Sequence, residues 1–143
     1  MPLAESTAAG SQPGLGTFVD DFNAWPDTVA MSDDPIQTNP DLYKVVFENE
    51  RVRVLEYRDE PGDRTTPHRH PDSVMVTLSD FDRKLTMGDQ EREVSLRSGL
   101  AAWLPAQTHM GENVGPTPTH SIFVELKEPG PASSGGEPAL GPQ

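Results

Sequence analysis

The chain has 143 residues, with 11 Lys and Arg against 23 Asp and Glu, a net charge of −12, and no Cys. That balance argues against nucleic acid and against anionic membrane surfaces, both of which are bound through clustered Lys and Arg. The lack of Cys removes thiolate ligands, disulfides and Cys nucleophiles, and leaves the compartment open.

Residues 1–38 are rich in Ala, Gly, Ser, Pro and Asp with few apolar clusters, and read as a flexible N-terminal segment. Met31, ahead of Ser32-Asp33-Asp34, is an alternative start. The first residues carry neither a basic stretch nor an apolar one, so no signal peptide is expected. No apolar run is long enough to span a membrane. A cytoplasmic location is the default expectation.

The middle of the chain, residues 39–127, reads as one domain of short strands. Residues 43–47 are followed by the polar break Glu48-Asn49-Glu50, and residues 51–57 by the turn Pro61-Gly62-Asp63. A histidine-bearing segment, 68–70, precedes Pro71-Asp72-Ser73 and a strand over 74–78. Further strands are expected over 83–87, 93–96, 101–104 and 119–126, with turns at 80–82 and 88–89. Strands of this length at roughly ten-residue spacing predict an all-β antiparallel sandwich or barrel. In the last strand, His120, Ile122, Val124 and Leu126 form the more apolar parity and are expected to face inward. Val74, Val76 and Leu78 are expected to do the same. Residues 128–143 are low in complexity and predict a disordered tail.

Three of the four histidines fall in two segments, Gly62 to His70 and Pro105 to Asn113. His68 and His70 alternate along a strand, so their side chains leave one face and can aim at one point. His109 can close that site from a second strand. This is a minimal mononuclear metal centre.

The two segments resemble the two motifs of the cupin family. In the first, Gly62 is followed after five residues by His68-Arg69-His70. The family's Glu is missing, because Val74 or Met75 stands in its place, and the closing Gly is missing too. In the second, Gly99 and Pro105 keep the family spacing, and Gln107 replaces a Gly. The segment is one residue short before His109, and His109 and Asn113 keep their interval. The resemblance covers residues 41–127.

It implies a jelly-roll β-barrel (an antiparallel double-stranded β-helix) and His68, His70 and His109 as ligands of a divalent metal. Three ligands leave open positions, which suits catalysis. Imidazole ligands suit Fe, Zn, Ni and Cu. The three-histidine pattern is similar to that of the thiol and β-diketone-cleaving dioxygenases among the cupins, which puts Fe(II) first. A small organic substrate and a homodimer are the expected partners.

Other residues have competing readings. His120 is a core histidine, a base beside the metal, or a fourth ligand in place of the lost Glu. Arg53 and Tyr57 are candidate catalytic residues lining the pocket, and an exposed sheet face is the other home for the arginine. Asn113 reads as a turn residue, Trp103 as core or rim packing, and Glu112 as solvent-facing or a base. Function divides accordingly. An Fe(II) dioxygenase-like oxidoreductase comes first. The alternatives are Lewis-acid isomerase, lyase or hydrolase chemistry, and a non-catalytic small-molecule-binding cupin.

Overall fold

The computed structural model describes residues 33–128 and 140–143. A four-residue helix, α1 (Pro35–Thr38), leads into nine strands: β1 (Tyr43–Glu48), β2 (Val52–Asp59), β3 (His68–His70), β4 (Ser73–Thr77), β5 (Phe81–Met87), β6 (Gln90–Leu96), β7 (Ala101–Leu104), β8 (Gln107–Asn113) and β9 (Thr119–Leu126). Asp34 caps α1 by accepting the Ile36 N–H at 2.8 Å, and Pro35 fills the first helical position, where its missing N–H costs nothing.

The strands form two sheets. One has five strands in the order β1-β2-β9-β4-β7, and the other has four in the order β3-β8-β5-β6. All recorded pairings are antiparallel. Neighbours distant in sequence thus pair, as a jelly roll requires. Among the described residues, no helix is long and apolar enough to cross a membrane.

Cross-strand register defines what faces the interior. One inward row runs Tyr43, Tyr57, Ser121, Thr77, and the next runs Leu55, Phe123, Met75. These aromatic and aliphatic side chains, with Leu104, make the main core. Leu55 and Leu104 are 0% and 1% exposed. Burial of such a side chain stabilises by about 1.5–3 kcal/mol. A smaller cluster of Leu85, Val94 and Leu140 closes the far end.

Two expectations are corrected here. The inward parity of β9 is Thr119, Ser121, Phe123 and Glu125, not His120, Ile122, Val124 and Leu126. Likewise Ser73, Met75 and Thr77 of β4 face inward, while Val74 and Val76 do not. The reason is that the interior of this barrel is partly polar, whereas the outer face of the five-stranded sheet carries an apolar row. Register aligns Phe47, Val54, Val124, Val74 and Trp103 in one row across that outer face. A rule that sends the greasier parity inward therefore selects the wrong side.

The second correction concerns the ends. Residues 33–38, expected to be flexible, are ordered and include α1, and residues 140–143 are packed on the barrel rather than disordered. Leu140 is buried, and Gln143 exchanges backbone hydrogen bonds with Trp103 at 2.7 and 3.3 Å. The rest of the two expected flexible segments, 1–32 and 129–139, lies outside the described residues.

A buried charge organises the interior. Arg83 donates to Asp59 Oδ2 at 2.6 Å, to Thr119 Oγ1 at 3.2 Å and to the Tyr57 hydroxyl at 3.2 Å. Tyr57 and Asn113 also donate to Asp59, at 2.5 and 3.0 Å. Asn113 further satisfies its own turn, accepting from Gly115 N and donating to Thr117 O. Burial alone would raise the Asp59 pKa, but the Arg83 charge and the donated hydrogen bonds outweigh it and hold it low.

Asp59→Ala strands the Arg83 cation, and should reduce unfolding free energy at pH 7 by about 3–5 kcal/mol in guanidinium denaturation. Because the folded Asp59 pKa is depressed, its stabilisation is present above the unfolded value of about 3.9 and is lost as pH falls below it. The variant should therefore show a flatter stability profile in acid than the parent protein. An equally steep profile would contradict the role given to Asp59.

Candidate metal centre

The pairing of β3 with β8 builds the site. His68 lies opposite His109, and His70 opposite Gln107. All three histidines are buried, at 1%, 0% and 5% exposure. Their ring centroids are 4.8, 5.0 and 5.2 Å apart, and one ligand nitrogen from each lies within 4.8 Å of the others.

Each imidazole is oriented through its Nδ1. His68 Nδ1 is 2.8 Å from the Thr66 carbonyl, His70 Nδ1 is 3.4 Å from Glu125 Oε2, and His109 Nδ1 is 2.8 Å from Gln107 Oε1. A carbonyl or carboxylate oxygen can only accept, so in each ring Nδ1 carries the hydrogen. Nε2 is then the nitrogen of each ring that can face an ion. Burial first, and then the neighbouring His70, hold the His68 pKa well below its usual value. Burial, followed by His68 and His70, does the same to His109. His68 and His109 are therefore neutral at pH 7, the form that ligates metal. The donor set fits a divalent transition metal, which the cluster could hold.

The partners are themselves held in place. Gln107 Oε1 also accepts Gly141 N–H at 2.8 Å, and its amide donates to Pro105 O at 2.9 Å, which fixes the amide orientation. Glu125 is gripped by Arg53, with Nε and Nη2 each 2.9 Å from Oε1. Arg53 in turn bonds Asp34 at 2.9 Å. The Tyr43 hydroxyl lies 3.2 Å from His68 Nε2 and 3.3 Å from His70 Nε2. Burial, then the neighbouring Tyr57, raises the Tyr43 pKa, which keeps the phenol protonated when no cation is near.

Beside the cluster is a small cavity of about 40 Å³ that opens toward solvent. Its walls are mainly apolar, with Met75, Leu104 and Phe123 among them. Tyr57, Arg83, Thr119 and Ser121 add a polar side. The Ser121 hydroxyl is buried and has no hydrogen-bond partner. The carboxy-terminal residues border the cavity through Pro142, and Arg92 holds this segment by donating to Leu140 O at 2.7 Å and Pro142 O at 3.3 Å.

The candidate residues thus separate. His68, His70 and His109 come together, and Tyr57 lines the cavity beside them. Arg53 reaches the cluster only through Glu125. His120 sits on the outer face, where its Nε2 is 2.6 Å from Glu56 Oε2, so the expectation that it faces the interior is corrected. Glu112 lies outside the cluster, on the outward parity of β8. Sequence reasoning missed Tyr43, Glu125, Arg83 and the role of Gln107. Only Gln107 carried a signal, as a departure from the motif beside His109.

No protein-family model and no curated protein matches the chain. Solved structures do. A cupin domain from Bordetella pertussis Tohama I is 29% identical with a TM-score of 0.58, over 61% of this chain and 93% of that one. A conserved protein with a double-stranded β-helix domain from Klebsiella pneumoniae is 22% identical with a TM-score of 0.50, over 76% and 85%. An RmlC-like cupin family protein from Methanocaldococcus jannaschii, 15% identical with a TM-score of 0.50 over 59% and 78%, has the same fold. With its three histidines gathered inside the barrel and no Glu in the usual ligand position, this chain is a cupin by fold.

Proposed function

We propose that the protein is a metal-dependent enzyme acting on a small organic molecule, with non-haem Fe(II) dioxygenase-like chemistry. The observation that carries this reading is the convergence of three buried imidazoles whose Nδ1 atoms are all committed elsewhere. Bound there, Fe(II) would supply a centre for oxygen activation with coordination positions left for oxygen and substrate. The chain's own residues supply the rest. Met75, Leu104 and Phe123 give the cavity an apolar wall. Ser121, with its unpartnered hydroxyl, offers a hydrogen bond to a polar group of the substrate. Tyr57 keeps its proton at neutral pH, since burial pushes its pKa upward, and its hydroxyl is fixed between Asp59 and Arg83.

Anaerobic reconstitution should load about one Fe(II) per chain, as one mononuclear site requires. His68→Ala, His70→Ala and His109→Ala should each abolish loading, as read by elemental analysis. The loaded protein should then consume oxygen with a member of a panel of thiols and 1,3-dicarbonyls. Iron bound without oxygen uptake across that panel would sink the oxygenase reading.

Glu125→Gln and Gln107→Ala leave the three ligand atoms in place but loosen ring orientation. Each is expected to weaken metal affinity by about 10–100-fold in a chelator competition, the usual effect of losing such a partner. Unchanged affinity in both would show that the Nδ1 contacts do not position the rings.

We also propose that the apolar outer row, Phe47, Val54, Val124, Val74 and Trp103, is where two copies meet. Phe47 is 54% exposed and Trp103 41% exposed, an unusual cost for a solvated sheet face. Sedimentation equilibrium should give a dimer for the parent chain and a monomer for Val124→Asp. A monomeric parent chain would refute the assignment.

A further inference from the structure

We propose that Tyr43 provides a fourth ligand, its phenolic oxygen, to an ion held by His68, His70 and His109. The inference rests on the metal-centre reading above and concerns what completes it.

The first support is convergence. Tyr43 Oη contacts the Nε2 atoms of two rings, at 3.2 and 3.3 Å. Both of those rings have Nδ1 facing an acceptor, so Nε2 is the nitrogen each turns toward the phenol oxygen.

The second support is spacing. Ligand atoms about 2.1 Å from an ion stand about 3.0 Å apart in an octahedron and about 3.4 Å apart in a tetrahedron. The two distances from Tyr43 Oη fall between these limits. The oxygen therefore sits at a corner of a coordination shell rather than at its centre.

The third support is rigidity. Tyr43 is 6% exposed, and its ring packs 4.7 Å from Tyr57 and 6.0 Å from Phe123. These contacts, with those to the His68 and His70 rings at 5.5 and 5.8 Å, hold the hydroxyl at the cluster. An oxygen donor is also what the motif lacks, since Met75 enters the core and Val74 faces out where a Glu ligand would be expected. Tyr43 approaches the ion from β1, a different strand. On ligation the oxygen–metal bond forms, the O–H bond breaks, and the proton leaves to solvent.

The experiment uses the full chain loaded anaerobically with Fe(II) and then oxidised to Fe(III) with ferricyanide. Phenolate bound to Fe(III) gives a visible charge-transfer band and enhanced phenolate modes in resonance Raman spectra. Both should be present in the parent protein, retained in Tyr57→Phe and absent from Tyr43→Phe. Iron held by the histidines without the band in the parent protein overturns the proposal while leaving the metal centre standing. A band that survives in Tyr43→Phe also overturns it. Failure of the parent protein to bind iron overturns both. The parent spectrum decides the matter even if Tyr43→Phe folds poorly.

Discussion

A histidine ring has two nitrogens, and whatever holds one decides what the other can do. In this barrel all three Nδ1 atoms are spoken for, by a backbone carbonyl, a carboxylate and an amide oxygen. That single constraint leaves Nε2, in each of three buried rings, as the nitrogen that can face an ion. Much of the fold serves it. The loop before β3 supplies Thr66. The central strand of the five-stranded sheet supplies Glu125, and Arg53 and Asp34 hold that carboxylate from β2 and the start of α1. The carboxy-terminal residues reach Gln107 through Gly141. Segments from the start, middle and end of the described chain thus converge on one small volume.

The same barrel tolerates a second polar centre. Arg83 and Asp59 form a buried ion pair whose remaining hydrogen-bonding capacity is taken up by Tyr57, Thr119 and Asn113. A buried pair of this kind is seldom a net source of stability, but half of one is costly. Its geometry depends on Gly111. A Cβ there would stand 2.8 Å from Arg83 Nη2, so the guanidinium can lie across β8 only because that position has no side chain. The two polar centres thus border one cavity, the ion pair through Arg83 and the histidines through His68 and His109.

The parts legible in the sequence are those fixed by local spacing. His68 and His70 share a face because they are two apart on a strand, and the glycine and proline spacings around them carried the resemblance to the cupins. The all-β architecture followed from turn residues recurring between short β-rich runs. What stayed hidden depends on contacts distant in sequence. Glu125 meets His70 across 55 positions and Tyr43 meets His68 across 25, and no spacing rule links them. Arg83 begins an expected strand, and nothing in its spacing marks its buried pairing with Asp59. The parity of β9 was misread for a physical reason: Ile122, Val124 and Leu126 are more apolar than Thr119, Ser121 and Glu125, yet Thr119 and Ser121 line the cavity and Glu125 meets His70 and Arg53.

Gln107 and the carboxy-terminal residues are best understood together. A Gly at position 107 could not reach His109 Nδ1, and an amide left alone at a buried site would carry unmet hydrogen-bonding capacity of its own. Gly141 meets that need by donating its N–H to the same oxygen that His109 uses. The close approach requires glycine, because a Cβ at 141 would come within 2.7 Å of Leu85 Cδ1. Arg92 and Trp103 then tie down the residues on either side. The departure from the motif and the docking of residues 140–143 are therefore two halves of one arrangement. A change at Gly141 should be felt at the third imidazole, although 32 positions separate it from His109 in the sequence.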